Sequence, residues 1–316
     1  MAVLVTGGAG YIGSHVARLL GDDAIIVDDF SAGLESRVGD LLCEHLDLAS
    51  AEAPAKLEAL MRANDVTAVV HLAARKKVGE SVELPEWYYS QNIGGMANLL
   101  TAMKNAGVNK LVFSSSAATY GVPNVELVNE DLRCEPINPY GETKLIGEWM
   151  ARDAAKAWGL RHVNLRYFNV AGAGWPELAD TAVANLIPIV FAALKAGQKP
   201  QVFGNDYPTP DGSCIRDYVH VLDLAKAHVA ALGYLEKEQR EHSTFNVGSG
   251  AGSSVFEVLD VIREVTGNNF EAEILPGRAG DPPRLCADVS RIGETLGWKT
   301  EADLTEIVRS AWDAIN

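Results

Sequence analysis

After the short apolar run Ala2–Thr6 the chain reads "GGAGYIGSH", placing Gly7, Gly8, Gly10 and Gly13 between a strand-like segment and a helix-like one. Glycines at a strand-to-helix junction permit a tight turn that few other residues tolerate, so the first unit is read as strand, turn, helix. The same rhythm repeats downstream. "AIIVD", "CEHLDL", "TAVVHLA", "KLVFSSS" and "LRHVNLRYF" are β-branched runs, with helices predicted near 11–20, 52–63, 86–106 and 139–158. Such alternation predicts an α/β fold, a doubly wound parallel sheet of Rossmann type with helices on both faces. Past residue 169 it gives way to Gly- and Pro-punctuated segments mixed with helices. The expected division is a dinucleotide-binding domain over 1–168 and a smaller mixed α/β lobe over 169–316, with helices such as "VLDLAKAHVAALGYL" returning to the first domain.

The glycine turn fits a dinucleotide fingerprint in two ways, Gly8-x-Gly10-x-x-Gly13 or Gly7-x-x-Gly10-x-x-Gly13. Either lets the backbone approach a pyrophosphate and leaves that anion on a helix N-terminus. Asp28 ends the second strand where a carboxylate accepts from the adenosine ribose, and Asp29 follows it. No arginine comes next to receive an extra phosphate, so NAD is expected rather than NADP. Asp47, ending "CEHLDL", is read either as facing the adenine or as a helix cap.

A net charge of −15 excludes nucleic acid or an anionic membrane as partner, and any anionic ligand has to be held by a few local arginines. Four scattered cysteines, without a C-x-x-C or a histidine at metal spacing, point to a reducing, cytoplasmic setting and no metal site. The N-terminus carries no signal-like segment, and the longest apolar stretch is broken by Asn185 and Pro188.

Among nine tyrosines only Tyr140 has a lysine, Lys144, four residues on. Asn138 suits an N-cap and Pro139 the first helical position, so the pair shares one face of an opening helix. An ordinary phenol titrates near 10, and the positive helix end beside an ammonium is expected to favour tyrosinate, giving a usable base. "FSSSAATYG" ends a central strand with three serines. Ser116 is read as presenting its hydroxyl to the same substrate oxygen, and Ser114 and Ser115 as satisfying backbone or lining the pocket.

Taken together, "TGGAGYIG", the three serines and "YGETK" resemble the extended short-chain dehydrogenase/reductase family. "VVHLAARKKVGES", "LRYFNVAGA", "FGNDYPTPDGSCIRDYVHV" and "NVGSGAGSSV" are similar to its UDP-hexose 4-epimerases over nearly the whole chain. The resemblance implies tightly held NAD and interconversion of UDP-galactose and UDP-glucose. Tyr140 would take the proton of the 4-hydroxyl as hydride leaves C4, and the 4-keto sugar would turn over and be reduced on its other face. Lys144 would hold the tyrosinate and the nicotinamide ribose, and Ser116 would orient the 4-oxygen.

The same resemblance implies a cofactor set of Gly7, Gly10, Tyr11, Ile12, Gly13, Asp28, Asp29, Asp47, Leu48, Leu72, Ala73, Ala74, Lys76, Gln91, Ser114, Tyr140, Lys144, Tyr167 and Phe168. Lys76 would meet the NAD phosphates, and Tyr167 and Phe168 would lie beside the nicotinamide. The substrate set it implies is Ser116, Tyr140, Asn169, Asn185, Leu186, Phe203, Arg216, Arg278, Asp281 and Leu285. Phe203 would lie near the uracil, Asp281 would take a uridine ribose hydroxyl, and the two arginines would clamp the diphosphate.

Two departures stand out. "YYSQN" puts Gln91 where the family usually has asparagine, and Leu285 replaces a bulky tyrosine that gates the sugar 2-substituent. Leu285 predicts room for an N-acetyl group. Rival readings are a UDP-uronate or pentose 4-epimerase, a 4,6-dehydratase and a non-catalytic NAD sensor. The dehydratase needs an acid and a base where this chain has Ala117 and Ala118, and a sensor has no need of Tyr140, Lys144 and Ser116 together. Met96, Leu99, Leu100, Met103, Leu145, Ile146 and Trp149 are read either as core or as the helix face of a homodimer.

Overall fold

The computed structural model describes residues 1–237, 242–278 and 281–316. In chain order it opens with β1 (Ala2–Thr6), α1 (Tyr11–Leu20), β2 (Ala24–Asp28), β3 (Cys43–His45), α2 (Ala53–Ala63) and β4 (Val66–His71). It continues through α3 (Val78–Glu83), α4 (Pro85–Tyr88), α5 (Gly95–Ala106), β5 (Lys110–Ser114), α6 (Pro139–Trp158) and β6 (Arg161–Tyr167). Next come β7 (Asn169–Ala171), α7 (Leu186–Lys195), β8 (Gln201–Phe203), β9 (Ile215–His220), α8 (Val221–Lys237) and β10 (His242–Val247). The last elements are β11 (Gly252–Ser254), α9 (Val255–Thr266), β12 (Glu273–Leu275), β13 (Arg284–Leu285), α10 (Ser290–Leu296) and α11 (Leu304–Asp313).

Two compact units result: one of residues 1–120, 134–166 and 225–245, the other of 121–133, 167–224 and 246–316. The first is built on a sheet ordered β10-β6-β5-β4-β1-β2-β3. Its β1 to β6 pair in parallel, and the side chains of all but the edge strand β3 are buried almost end to end, as both faces of such a sheet require. The order reverses between β1 and β4, which marks the ligand crevice of an open α/β sheet. One face is filled by Leu57 and Met61 of α2, Met96, Leu99 and Met103 of α5, and Ala151 and Ala155 of α6. The second unit has its own core of Ile187, Phe191, Tyr218, Leu259, Ile262 and Val308 around the short strands β7, β9, β11 and β13.

The predicted helix 86–106 is divided. A π-type turn, Tyr89–Gly94, separates α4 from α5 and contains Gln91 and Asn92. Of the residues offered as a dimer face, Met96, Leu99, Leu100, Met103 and Leu145 are buried within the first unit, and Trp149 is exposed. The sheet needed more of these helices' apolar surface than the sequence alone indicated.

A buried charge pair underlies α6. Arg166 on β6 donates from Nε and Nη2 to both oxygens of Glu148, at 2.8 and 2.6 Å, and from Nη1 to the Tyr120 hydroxyl at 3.0 Å. The Ser115 hydroxyl donates to the same carboxylate at 2.5 Å. Removing one partner strands a desolvated charge. Arg166→Met is therefore expected to cost roughly 3–5 kcal/mol in urea unfolding, and pairing it with Glu148→Leu to restore most of that loss.

Candidate active site

Local sequence builds the dinucleotide end. Gly7 adopts φ +72°, and a Cβ on it would meet the Ala73 backbone nitrogen at 2.7 Å. A Cβ on Gly13 would collide with the Gly7 carbonyl, and Gly10 is the N-cap of α1 without a side-chain cap. Gly7, Gly10 and Gly13 therefore form the turn, while Gly8 is required by packing on the Ile26 side chain at 2.9 Å. The uncapped N-terminus of α1 leaves backbone N–H groups for an anion, so these residues fit a pyrophosphate. Tyr11 is buried and Ile12 partly so at the opening of that helix. Leu72 and Ala73 donate to the Thr6 carbonyl at 3.0 and 3.1 Å, which lays the loop of Leu72, Ala73 and Ala74 along the turn, with Lys76 exposed beyond it.

Asp28 accepts from Ala9 N–H at 3.0 Å and Phe30 N–H at 2.9 Å, so the β2 carboxylate is fixed to the glycine turn itself. Burial pushes its pKa up against those two bonds. Burial also raises Asp29, yet the Ser31 hydroxyl and amide and the Arg75 guanidinium more than offset it, leaving Asp29 below the usual carboxylate range. Asp47 closes a turn by accepting from Ala49 N–H at 2.8 Å, while α2 is capped at Glu52, so the helix-cap reading of Asp47 falls. The carbonyl of Leu48 accepts from Asn98 of α5 at 2.8 Å.

The chemical end lies at the carboxyl ends of β4 and β5 in the same unit. Asn138 caps α6 by accepting from Gly141 N–H at 2.9 Å, with Pro139 first in the helix. Tyr140 and Lys144 are both buried on its inner face. Lys144 Nζ donates to the Ser114 carbonyl at 2.8 Å and lies 5.3 and 5.9 Å from the ring centroids of Phe113 and Tyr140. The Ser116 hydroxyl accepts from Ala118 N–H at 3.1 Å and lies close enough to Tyr140 to oppose the rise of its pKa. Ser114 Oγ engages His228 Nε2 at 2.7 Å, a partner 114 residues away that α8 supplies on its return to this unit.

Burial reverses the expected electrostatics. It pushes the Tyr140 phenol up, opposed only by the Ser116 hydroxyl, and it pushes Lys144 down to about 7. Burial, assisted by Lys144, takes His71 down to about 3, so this ring, held by Thr6 Oγ1 at 2.7 Å, stays neutral. Without ligand the pocket thus disfavours both the tyrosinate and the ammonium, because desolvation outweighs the helix end.

The second unit gathers the remaining candidates. Arg216 Nη2 donates to Asp281 Oδ1 at 3.0 Å, and its Nη1 to the Ile215 and Pro282 carbonyls. Arg278 stacks over the Phe203 ring at 3.8 Å. Leu285 on β13 is in register with Arg216 on β9. Asn169 begins β7 in register with Tyr218, Phe168 N–H donates to the Val247 carbonyl after Tyr167, and Asn185 stands at the N-cap position of α7 without a side-chain capping bond, before Leu186 opens the helix. Among the described residues no cluster of three or more His, Cys, Asp or Glu side chains could hold a metal, and no helix is long and apolar enough to cross a membrane.

Comparison with known proteins decides the family. A model described as "NAD dependent epimerase/dehydratase family" matches residues 3–248. This chain belongs to that NAD dependent epimerase/dehydratase family. It is 45% identical to the UDP-glucose 4-epimerase of Corynebacterium glutamicum, over 99% of this chain and 95% of that one. The structure of a UDP-glucose 4-epimerase from Brucella ovis in complex with NAD superposes with a TM-score of 0.93 at 43% identity, covering 98% and 97% of the two chains. A UDP-Glc/GlcNAc 4-epimerase from Campylobacter jejuni gives 0.86 at 40% identity, covering 99% and 98%.

Within this epimerase/dehydratase chain the sequence left two residues unremarked. Asn92, in the π-type turn, accepts from Arg75 N–H at 2.8 Å and donates to the Arg75 carbonyl at 3.1 Å and the Thr143 hydroxyl at 2.9 Å. It joins the loop after β4 to the helix bearing Tyr140. Arg75 itself engages Gln91, so Gln91 Oε1 is held by protein. Neither contact was legible, because each partner is at least 16 residues away.

Unfolded lysine titrates near 10.4 and folded Lys144 at about 7, so between those values the unfolded chain holds a proton that the folded one has released. This contribution is complete above the upper value, and it is lost as pH falls through the lower. For the ligand-free protein, unfolding free energy measured by denaturant from pH 7 to 9 should rise more steeply than in Lys144→Met, by up to about 1.4 kcal/mol per pH unit.

Proposed function

We propose that this chain epimerises C4 of a UDP-hexose, interconverting UDP-galactose and UDP-glucose through a transient 4-keto sugar, with NAD as cofactor. The observation that carries the reading is the convergence of Tyr140, Lys144 and Ser116 in one buried place beside a glycine turn fit for a dinucleotide. The full-length similarity to UDP-glucose 4-epimerases supports it. Bound NAD supplies the hydride acceptor and returns the hydride.

The protein's own share is proton handling and positioning. The Tyr140 phenolate oxygen takes the proton of the 4-hydroxyl on oxidation and gives it back on reduction. Lys144, fixed by the Ser114 carbonyl, lowers the cost of that phenolate, and the Ser116 hydroxyl orients the 4-oxygen. Since burial alone raises the Tyr140 pKa, the base becomes effective only with a fully charged Lys144 beside it. Exclusion of water by the same burial protects the keto sugar and strengthens each hydrogen bond.

Arg216 and Arg278 are suited to a diphosphate because a planar guanidinium matches phosphate bidentately, in a chain whose net charge is −15. Leu285 leaves space at the sugar 2-position, so UDP-N-acetylhexosamines are proposed as second substrates. We also propose that the protein forms a homodimer in which Trp149, exposed on α6, is covered, a state read by sedimentation.

Purified protein should carry NAD and convert UDP-galactose; a folded, NAD-loaded protein that converts neither UDP-galactose nor its N-acetyl analogue overturns the reading. Tyr140→Phe should retain NAD and lose about 10²- to 10⁴-fold in turnover. Leu285→Tyr should lower the ratio of N-acetylated to plain hexose turnover by about tenfold or more, and an unchanged ratio removes the role given to Leu285.

A further inference from the structure

A cation stands where this fold, when it uses NAD, does not need one. In dinucleotide-binding sheets the acid at the end of the second strand takes the ribose 2′-hydroxyl, whereas a nearby arginine receives the 2′-phosphate of NADP. Here both are present. Asp28, tied to Ala9 of the glycine turn, is the acid. Arg75 arrives from the loop after β4, and its Nη2 donates to Asp29 Oδ2 at 2.6 Å. The other donors are also engaged: Nε and Nη2 meet Gln91 Oε1 at 3.1 and 2.7 Å, and Nη1 meets the Ser31 hydroxyl. The guanidinium carbon lies 5.1 Å from the Trp87 ring centroid, so one face of the fork is backed as well.

The side chains of Arg75 and Asp29 are only 20% and 25% exposed, which makes this more than a solvent-screened surface pair. Asp29 is further fixed by the amide of Ser31 at 2.9 Å and its hydroxyl at 2.6 Å. A carboxylate thus already neutralises the Arg75 guanidinium, the group type that would pair with a phosphate.

We propose that Asp29 sets the choice of dinucleotide by sequestering Arg75, so that Asp28 repels a 2′-phosphate while Asp29 withholds the cation that would otherwise receive it. Asp29 and Arg75 are thus specificity-determining residues for the cofactor. The assignment rests on the NAD reading above.

Its test is a fluorescence titration of the full chain, after the NAD it carries has been removed, with NADH and NADPH. Wild type should prefer NADH. Asp29→Asn keeps the shape of the side chain and removes the charge that neutralises Arg75, and should raise the ratio of NADPH to NADH affinity about tenfold or more over wild type. Asp29→Ser should behave alike and serves if the first variant folds poorly. Adding Arg75→Met to Asp29→Asn should abolish the NADPH gain. The proposal is overturned if the Asp29 variants bind NADH yet gain nothing toward NADPH. It is also overturned if the gain survives in the double variant, since carboxylate repulsion alone would then account for it. Wild type that binds neither dinucleotide rejects the NAD reading itself, and this proposal with it.

Discussion

The hydrogen bond from Lys144 Nζ to the Ser114 carbonyl ties the helix that bears Tyr140 to the end of β5. A lysine is almost never buried unless something holds it, and here the holders are a carbonyl and the two ring faces of Phe113 and Tyr140. The arrangement is expensive in the absence of a ligand, as the depressed lysine and the raised tyrosine indicate. That expense is borne by the packing beneath. The Glu148–Arg166 pair grips Ser115 between the two serines of the site, and β5 with α6 forms part of a core of the first unit. Strain of this kind is tolerated where chemistry needs it, on a rigid sheet rather than on a loop.

The cofactor end follows a different logic, in which close backbone approach does the selecting. Side chains at Gly7 or Gly13 would strike neighbouring backbone, so only glycine lets the turn close this tightly onto the N-terminus of α1. Asp28 then locks onto that turn through Ala9, and Asn92 fastens the adjoining loop to α6. The loop beside the glycine turn and the helix bearing Tyr140 are in this way parts of one hydrogen-bonded frame within the first unit.

Much of this was legible in the sequence because it is local. The alternation of "AVLVT", "AIIVD", "TAVVHLA" and "KLVFSSS" with helical segments announced a parallel sheet, and all four became its strands. Asn138 and Pro139 announced the start of α6, and its first turn carries Tyr140. Less legible were β10, the π-type turn at Tyr89–Gly94 and the Arg75 contacts. The first is placed by the sheet, the second by a backbone bond pattern that residue type barely encodes, and the third by the meeting of two loops 46 residues apart.

What the sequence determined by itself is therefore the inventory: which residues turn, cap, alternate and carry reactive groups, since these depend on neighbours within a few positions. What only tertiary structure decided is the charge state and the company of those residues. The sequence placed a lysine near a tyrosine and implied a tyrosinate, but the depth of burial determines which charged form survives, and burial is a property of the whole core. It placed aspartates at the end of β2 and found no arginine following them, yet folding brought Arg75 there, because sheet order and not chain order sets which loops adjoin.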